Sequence, residues 1–237
     1  MQMNAKLDTC VIVEPREHKY LLPVIDNMLK NIPTETIIQV YHGKRNKITL
    51  LNEYKSLVNE KIWLFDLEVD NLTYKEYNTL LTSPTFYDNV KGENMLIFQT
   101  DTCINSNNKH GYKEYLDYDY VGAPWDNKCN WVFVNNNPGK VGNGGFSLRK
   151  KSSCLKALQH VKYSGGGMNE DGYFSNIPFF NYPLNSKSFS VELCYHPNPF
   201  GIHAVWKHWS SWNPEERLAL YSNFTELKTI FDIDLHS

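Results

Sequence analysis

Short apolar runs alternate with helical patterns along the first hundred residues, and this order constrains the fold more than any other feature of the chain. Each apolar run is rich in β-branched or aromatic residues, which is typical of strands. The predicted strands are 10–13, 36–43, 62–69 and 94–101, and the clearest predicted helices are 19–32 and 74–90. Because helices that connect successive strands make those strands parallel, the sequence predicts an α/β fold, with a mostly parallel central sheet flanked by helices.

The second half of the chain is less regular. It contains aromatic, turn-rich segments, a predicted helix at 151–161 and an amphipathic helical pattern at 214–231. The sequence contains no internal repeat, and no linker separates its two halves. Residues 1–237 are therefore expected to form a single domain.

Charge and composition argue against several classes of protein. The 24 basic and 26 acidic side chains leave a net charge of -2, so there is no basic field for nucleic acid or a membrane surface. No apolar run approaches the roughly 20 residues of a membrane span. The chain opens without the apolar stretch of a signal peptide, and its five cysteines include no CxxC pair. We therefore expect reduced thiols and a cytoplasmic protein.

Polar residues follow the predicted strands, where open α/β sheets bind their ligands. Glu14 and Arg16 follow the first strand, His42 and Gly43 close the second, and Asp101 ends the fourth. These side chains are expected to meet at one edge of the sheet.

Asp101 is the only charged residue between Glu93 and Lys109. An isolated acid after a strand often caps a turn. Its carboxylate would also suit Mg²⁺ or Mn²⁺, which would then need a second protein ligand and a substrate diphosphate.

A glycine-rich run, GNGG at 142–145, precedes the mainly apolar segment FSL at 146–148. A dinucleotide fingerprint would need a strand before it and a helix after it, so a Rossmann dehydrogenase is poorly supported. The run indicates either a β-turn or a surface without Cβ atoms that a sugar ring can approach closely.

Two further positions have alternative interpretations. The adjacent acids Glu170 and Asp171 complement a helix dipole or supply a general base. His203, among apolar neighbours, is a hydrogen-bonded core residue or a metal ligand. The spacing of four nearby positions matches no standard zinc finger: Cys194, His196, His203 and His208.

Six segments, in this order, resemble a family of uncharacterised glycosyltransferase-like domains of large DNA viruses, fungi and other microbes. They are FQTD (98–101), YDYVGAPW (118–125), GNGGFSLR (142–149), ED (170–171), FSVE (189–192) and PFGIHAVW (199–206). VIVEPR and IQVYHG match the family's opening strands, so the resemblance covers nearly the whole chain. A viral member would act in the host cytoplasm.

This family is similar in layout to inverting GT-A glycosyltransferases, which have a Rossmann-like fold. The resemblance implies a nucleotide-binding half, 1–101, and a half for the donor sugar and acceptor, 102–237. It also implies that Asp101 and His203 hold Mn²⁺ or Mg²⁺ beneath the diphosphate of a nucleotide-sugar. Gln99 stands where the DxD motif of those enzymes has its first acid, so coordination would depend on the last acid, Asp101.

The same resemblance implies the other roles. Asp171 would be the general base, and Glu170 would hydrogen-bond the acceptor. Gly144 and Gly145 would lie beside the donor sugar. The remaining nucleotide-binding residues would be Val13, Glu14, Arg16, His42, Gly43 and Thr100, with Arg16 available to a phosphate.

The hypothesis is a metal-dependent glycosyltransferase that transfers a sugar from a UDP-sugar to a glycan hydroxyl with inversion. Trp125 and Trp206 are candidate sugar-stacking platforms or core residues. Two alternatives stay open. A nucleotidyltransferase would attack phosphorus instead, but its basic, glycine-rich N-terminal signature is missing. A catalytically degenerate glycan- or nucleotide-binding protein is favoured by Gln99.

Overall fold

The computed structural model describes residues 5–126, 130–165 and 167–233. Its strands and helices, in chain order, are β1 (Thr9–Glu14), α1 (Leu21–Asn31), β2 (Ile37–His42), α2 (Lys47–Glu53), β3 (Ile62–Asp66), α3 (Tyr74–Leu81), α4 (Pro84–Asn89), β4 (Asn94–Phe98), β5 (Thr102–Ile104), β6 (Tyr120–Val121), β7 (Phe146–Lys150), α5 (Lys151–His160), α6 (Glu170–Phe174), β8 (Ser190–Val191), β9 (Gly201–His203), α7 (Pro214–Asn223) and α8 (Glu226–Thr229). A 3-10 helix, Val205–Ser211, follows β9.

A six-stranded sheet with the order β3-β2-β1-β4-β7-β6 forms the centre of the fold. β1 pairs in parallel with β2 and β4, and β2 pairs in parallel with β3. β7 runs antiparallel to both β4 and β6. The predicted α/β class with a mostly parallel sheet is confirmed. From β1 the next two strands, β2 and β3, are added on one side of β1, and β4 is then added on the other side. This reversal of strand order opens a crevice at the carboxyl ends of β1 and β4.

Both faces of this sheet are covered, as the uninterrupted burial of β1 requires. Successive side chains of a strand point to opposite faces. Cys10 and Ile12 accordingly pack into one hydrophobic cluster, and Val11 and Val13 pack into the other. The sheet is therefore held by a core on each side, which fixes the positions of its strand ends.

The predicted helix at 74–90 is two helices, α3 and α4. The Thr73 hydroxyl accepts a hydrogen bond from the Glu76 N–H, and the Glu76 carboxylate accepts one from the Thr73 N–H. Pro84 begins the second helix, where its missing N–H costs little. The predicted helix at 214–231 is likewise divided, into α7 and α8.

A small second sheet, with the order β5-β9-β8, lies beyond the end of β4. β5 begins one residue after Asp101, and β9 ends at His203. The two strands are antiparallel, with Thr102 opposite His203. This pairing brings together two predicted site residues that lie a hundred positions apart in the chain.

Among the residues described, no helix is both long enough and apolar enough to cross a bilayer. Cys10, Cys103 and Cys154 are buried free thiols, and Cys194 is a half-buried one. Cys129 lies outside the described residues.

Candidate active site

Asp101 and His203 face each other at the carboxyl edge of the sheet. Asp101 Oδ1 is 3.4 Å from His203 Nε2. The Ala204 N–H also donates to the Asp101 carbonyl oxygen at 2.9 Å, which joins the two backbones directly. The two residues named as metal ligands in the sequence are thus adjacent in space.

Glu192 fixes the orientation of the His203 ring. Its Oε1 lies 3.2 Å from His203 Nδ1, so the other ring nitrogen, Nε2, points at Asp101. Gly145 closes the remaining side: a Cβ atom there would lie 2.3 Å from His203 Nε2, so no larger residue fits without moving the ring. His203 is therefore held from three directions.

These contacts shift the pKa values of both groups. Burial lowers the pKa of His203, but hydrogen bonds to Asp101 and Glu192 outweigh it and raise this pKa to about 10. Burial raises the pKa of Asp101, but bonds to His203 and Lys207 outweigh it and hold this pKa well below its usual range. Lys207 Nζ is 2.7 Å from Asp101 Oδ2. At neutral pH the two groups therefore form an ion pair of the Asp101 carboxylate and the His203 imidazolium, and His203 would have to release its Nε2 proton to ligate a cation.

The donor atoms fit a divalent cation. Adjacent ligands of an octahedral ion bound at about 2.1 Å lie roughly 3 Å apart, close to the Asp101–His203 separation. A carboxylate on the far nitrogen of a ligating histidine, as Glu192 is here, is also the usual outer partner in metal sites. Within the described residues, no group of three or more His, Cys, Asp or Glu could hold a metal. Asp101 and His203 would therefore be the protein ligands of a cation, and a diphosphate and water would have to supply the others.

A cavity of about 290 Å³ adjoins Asp101 at the carboxyl ends of β1 and β4. Five of the predicted nucleotide-binding residues line it: Val13, Glu14, Arg16, Thr100 and Asp101. A larger cavity, of about 820 Å³, lies at the opposite edge of the sheet, before β1 and β2, and contains none of the predicted site residues.

The Arg16 guanidinium in this cavity is already paired. Its Nε and Nη2 donate to the two carboxylate oxygens of Glu14 at 2.8 and 2.7 Å. Glu14 is buried, and its charge is compensated by this two-point contact. A phosphate would have to share Arg16 with Glu14.

His42 and Gly43 lie behind the cavity rather than on its surface. Gly43 N–H donates to Asn46 Oδ1, and Asn46 Nδ2 donates to the carbonyl oxygens of Glu14 and Arg16. A Cβ at Gly43 would lie 2.2 Å from the Pro15 carbonyl oxygen. These contacts shape the loop after β1, which in turn carries the cavity wall.

Two aromatic residues of the cavity were not anticipated from the sequence. Tyr74 is 68% exposed, and Tyr77 accepts a hydrogen bond from Gln99 Nε2 at 2.8 Å. The Gln99 side chain thus binds a tyrosine. Tyr74 and Tyr77 are three residues apart at the start of α3. This helical spacing is the only signal in the sequence that the two side chains share one face of the helix.

Trp125 and Trp206 do not line the 290 Å³ cavity. Trp125 is buried against Gly142, where a Cβ would lie 2.3 Å from its ring. Trp206 packs on Phe231 with the ring centroids 4.6 Å apart. Trp125 is therefore a core residue, whereas Trp206 is half-buried and lines a separate cavity of about 650 Å³ together with Lys207.

The two acids at the start of α6 have different environments. Glu170 is buried and pairs with Arg149, whose Nη2 is 3.2 Å from Glu170 Oε1. Asp171 is partly exposed and accepts hydrogen bonds from the N–H groups of Gly172 at 2.7 Å and Gly144 at 3.4 Å. Burial, and next the negative charge of Glu170, raise the pKa of Asp171 to about 7. A carboxyl that titrates near neutral pH can act as a general base.

Gly144 and Gly145 lie between the acid pair and the Asp101–His203 pair. A Cβ at Gly144 would lie 2.5 Å from Glu170 Oε1, while a Cβ at Gly145 would meet His203. The glycine-rich segment 142–145 is therefore the place where the two groups of polar side chains approach each other.

The fold is similar to those of solved glycosyltransferases. The apo form of the glycosyltransferase GlyE of Streptococcus pneumoniae TIGR4 matches with a TM-score of 0.53 at 9% identity, over 93% of this chain and 64% of GlyE. Residues 1–349 of S. aureus TarS match at 0.49 and 9% identity, over 92% and 66% of the two chains. The mannosyltransferase PcManGT of Pyrobaculum calidifontis, solved with GDP-Man and Mn²⁺, matches at 0.47 and 14% identity, over 70% and 50%. At these identities, the GlyE match shows a glycosyltransferase-like fold and nothing further.

The chain spans about two thirds or less of the length of each of these structures. No curated protein sequence matches it. A family model described as "Protein of unknown function (DUF5672)" matches residues 36–203, which is more than half of the chain and includes Asp101, Asp171 and His203. The chain therefore belongs to the DUF5672 family.

Proposed function

We propose that this protein is a metal-dependent glycosyltransferase that moves a sugar from a nucleotide-sugar, with UDP as the first candidate nucleotide, to a glycan hydroxyl with inversion. The observation that carries the proposal is the contact of Asp101 with His203 beside a cavity at the carboxyl ends of β1 and β4. The glycosyltransferase-like fold supports it.

Asp101 and His203 would hold Mn²⁺ or Mg²⁺, which when bound offsets the charge that develops on the departing diphosphate. The two residues come from different parts of the chain, but Asp101 directly precedes β5 and His203 ends its antiparallel partner β9, so their separation is fixed before any ligand arrives. Glu192 keeps the His203 ring turned toward Asp101. This preorganisation lowers the cost of assembling the site around a donor.

Asp171 would act on the acceptor. Its carboxylate takes the proton of the attacking hydroxyl, the hydroxyl oxygen bonds to the anomeric carbon, and the bond from that carbon to the diphosphate oxygen breaks. Attack opposite the leaving group gives inversion. Glu170, which is buried and paired with Arg149, raises the pKa of Asp171 by its charge, and we assign it this supporting role.

Replacement of Asp101 by asparagine is expected to remove metal-dependent activity, because the amide lacks the negative charge that offsets a divalent cation. Release of nucleoside diphosphate from a panel of UDP- and GDP-sugars, with Mn²⁺ and a set of glycan acceptors, measures this. We expect release by the wild-type protein and a loss of about 100-fold or more in the variant. Equal release by both proteins would refute the assignment of Asp101.

Two further measurements separate the alternatives. Release of pyrophosphate from a nucleoside triphosphate supplied together with a sugar 1-phosphate identifies nucleotidyl transfer. Metal-dependent binding of UDP without turnover on any acceptor identifies a degenerate binding protein.

A second prediction concerns Gly145. In the Gly145→Ala variant the new methyl group meets His203 Nε2, so the ring must turn away from Asp101. We expect Mn²⁺-dependent UDP affinity to fall about tenfold or more, by the same reasoning as for the loss of a metal ligand's outer partner. Calorimetry with and without Mn²⁺ measures the effect, and thermal unfolding shows whether the variant is folded. Unchanged affinity in a folded variant would contradict the role of His203.

A further inference from the structure

Lys207 has no part in the mechanism above, yet it makes the closest side-chain contact of the Asp101 carboxylate. Its Nζ is 2.7 Å from Asp101 Oδ2, whereas His203 Nε2 is 3.4 Å from Oδ1. A cation already occupies one of the two oxygens that would bind a metal.

Backbone hydrogen bonds fix the position of the Lys207 main chain relative to Asp101. Ala204 N–H donates to the Asp101 carbonyl oxygen, and Lys207 N–H donates to the Ala204 carbonyl oxygen, both at 2.9 Å. Ala204 has a left-handed conformation with a φ of 46°, and the 3-10 helix that carries Lys207 begins at the next residue. The lysine is thereby anchored, through two hydrogen bonds, to the residue that its side chain contacts.

The ammonium end is much less constrained. The side chain of Lys207 is 58% exposed, compared with 20% for Asp101. An ion pair with such an exposed lysine stabilises a protein by only about 0–1 kcal/mol, so the group can leave Asp101 at little cost. Its long stem allows the ammonium group to move several ångströms without any backbone change.

Binding of a divalent cation would release this group. The ion would compete for the Asp101 carboxylate and repel the ammonium charge. Phosphate groups bound next to that ion would bring negative charge to the same place. Arg16, the cationic side chain among the described residues lining the 290 Å³ cavity, is paired with Glu14. Lys207, displaced from its ion pair with Asp101, would then be the neighbouring cationic side chain available to those phosphates.

We propose that Lys207 neutralises Asp101 while the site is free of donor and moves to the phosphate oxygens of a nucleoside diphosphate when the divalent cation binds. The inference rests on the proposed function, since it takes the Asp101–His203 pair as the cation site. It gives the lysine two opposite effects: it opposes binding of the cation alone and favours binding of the cation together with the nucleotide.

The Lys207→Met variant tests both effects, because methionine keeps much of the length and apolar stem but removes the charge. Mn²⁺ binding without nucleotide is measured by electron paramagnetic resonance, and UDP binding at saturating Mn²⁺ is measured by calorimetry. We expect Mn²⁺ alone to bind up to about fivefold more tightly, as loss of an exposed ion pair allows. UDP should bind about 10- to 100-fold more weakly, as loss of a charge-assisted hydrogen bond predicts.

Two further variants serve as controls. Lys207→Arg keeps the charge and should restore most of the UDP affinity. Lys30→Met removes an exposed lysine beside the cavity at the opposite edge of the sheet and should change neither measurement. Opposite changes in the two affinities, confined to Lys207→Met, support the proposal.

The failures are distinguishable. If the wild-type protein binds UDP with Mn²⁺ but Lys207→Met binds it equally well, or binds Mn²⁺ alone no more tightly, the role of Lys207 is overturned and the proposed function stands. If the wild-type protein binds no UDP in the presence of Mn²⁺, both are overturned.

Discussion

Replacement of Asp171 by asparagine is expected to lower kcat for sugar transfer by about 10²–10⁴-fold, the usual contribution of a general base. The amide has nearly the same shape and can keep the hydrogen bond from the Gly172 N–H, but it cannot accept the acceptor's proton. The rate of nucleoside diphosphate release at saturating Mn²⁺, donor and acceptor measures the loss. Asp88→Asn, a change of the same kind on the exposed side of α4, is the matched control and should leave kcat unaltered.

The pH dependence of kcat gives this assignment a second test. Asp171 is active when deprotonated, and its pKa is raised to about 7 by burial and by the charge of Glu170. The rate should therefore fall as the pH drops through about 7, and this acid limb should be missing from the residual activity of Asp171→Asn. A variant that retains more than about a tenth of wild-type kcat, or the same acid limb, would show that another group is the base.

Replacement of Arg149 by methionine is expected to lower the free energy of unfolding by about 3–5 kcal/mol, because it leaves the buried Glu170 carboxylate without its partner. Arg149 lies on β7 and is completely buried. Its Nε donates to Ser147 Oγ at 2.9 Å, and its Nη1 donates to Tyr87 OH at 3.2 Å. Its Cζ lies 5.2 Å from the centroid of the Phe174 ring. Urea unfolding measures the change.

The double variant Arg149→Met/Glu170→Gln isolates the charge effect. Neutralising Glu170 removes the unpaired charge, so the double variant should recover a large part of the lost stability although it carries one more substitution. A single variant that loses less than about 1 kcal/mol, or a double variant less stable than the single one, would show that the ion pair is not the reason Arg149 is buried.

The four predicted strands correspond to β1, β2, β3 and β4. The sequence reveals β1, β2 and β4 well because they are almost entirely buried apolar runs, whereas β3, at the edge of the sheet, is only partly buried. The strand pattern placed Asp101 at the carboxyl edge of the sheet, but its contact with His203 was anticipated only through the resemblance. No local pattern reveals their contact, because β5 and β9, the strands that create it, are three residues each and too short to show periodicity.

Other parts of the site depend on tertiary contacts that the sequence does not signal. The Arg149–Glu170 pair joins a strand to a helix start, and neither residue alone indicates the other. Lys207 reads as an ordinary surface lysine next to aromatic residues. The roles of Trp125 and Trp206 are not signalled by the sequence either. Whether a large aromatic side chain packs or binds a ligand depends on its burial, which only the structure shows.

The pairing of β5 with β9 also determines the stage of chain synthesis at which the proposed site can form. Contacts between segments a hundred residues apart carry a loop-closure cost and can form only after both segments have been synthesised. A ribosome-bound chain that has emerged only through its first two hundred residues holds the carboxylate without the imidazole. The proposed cation site would therefore be complete only after His203 has been synthesised, which requires most of the chain described here.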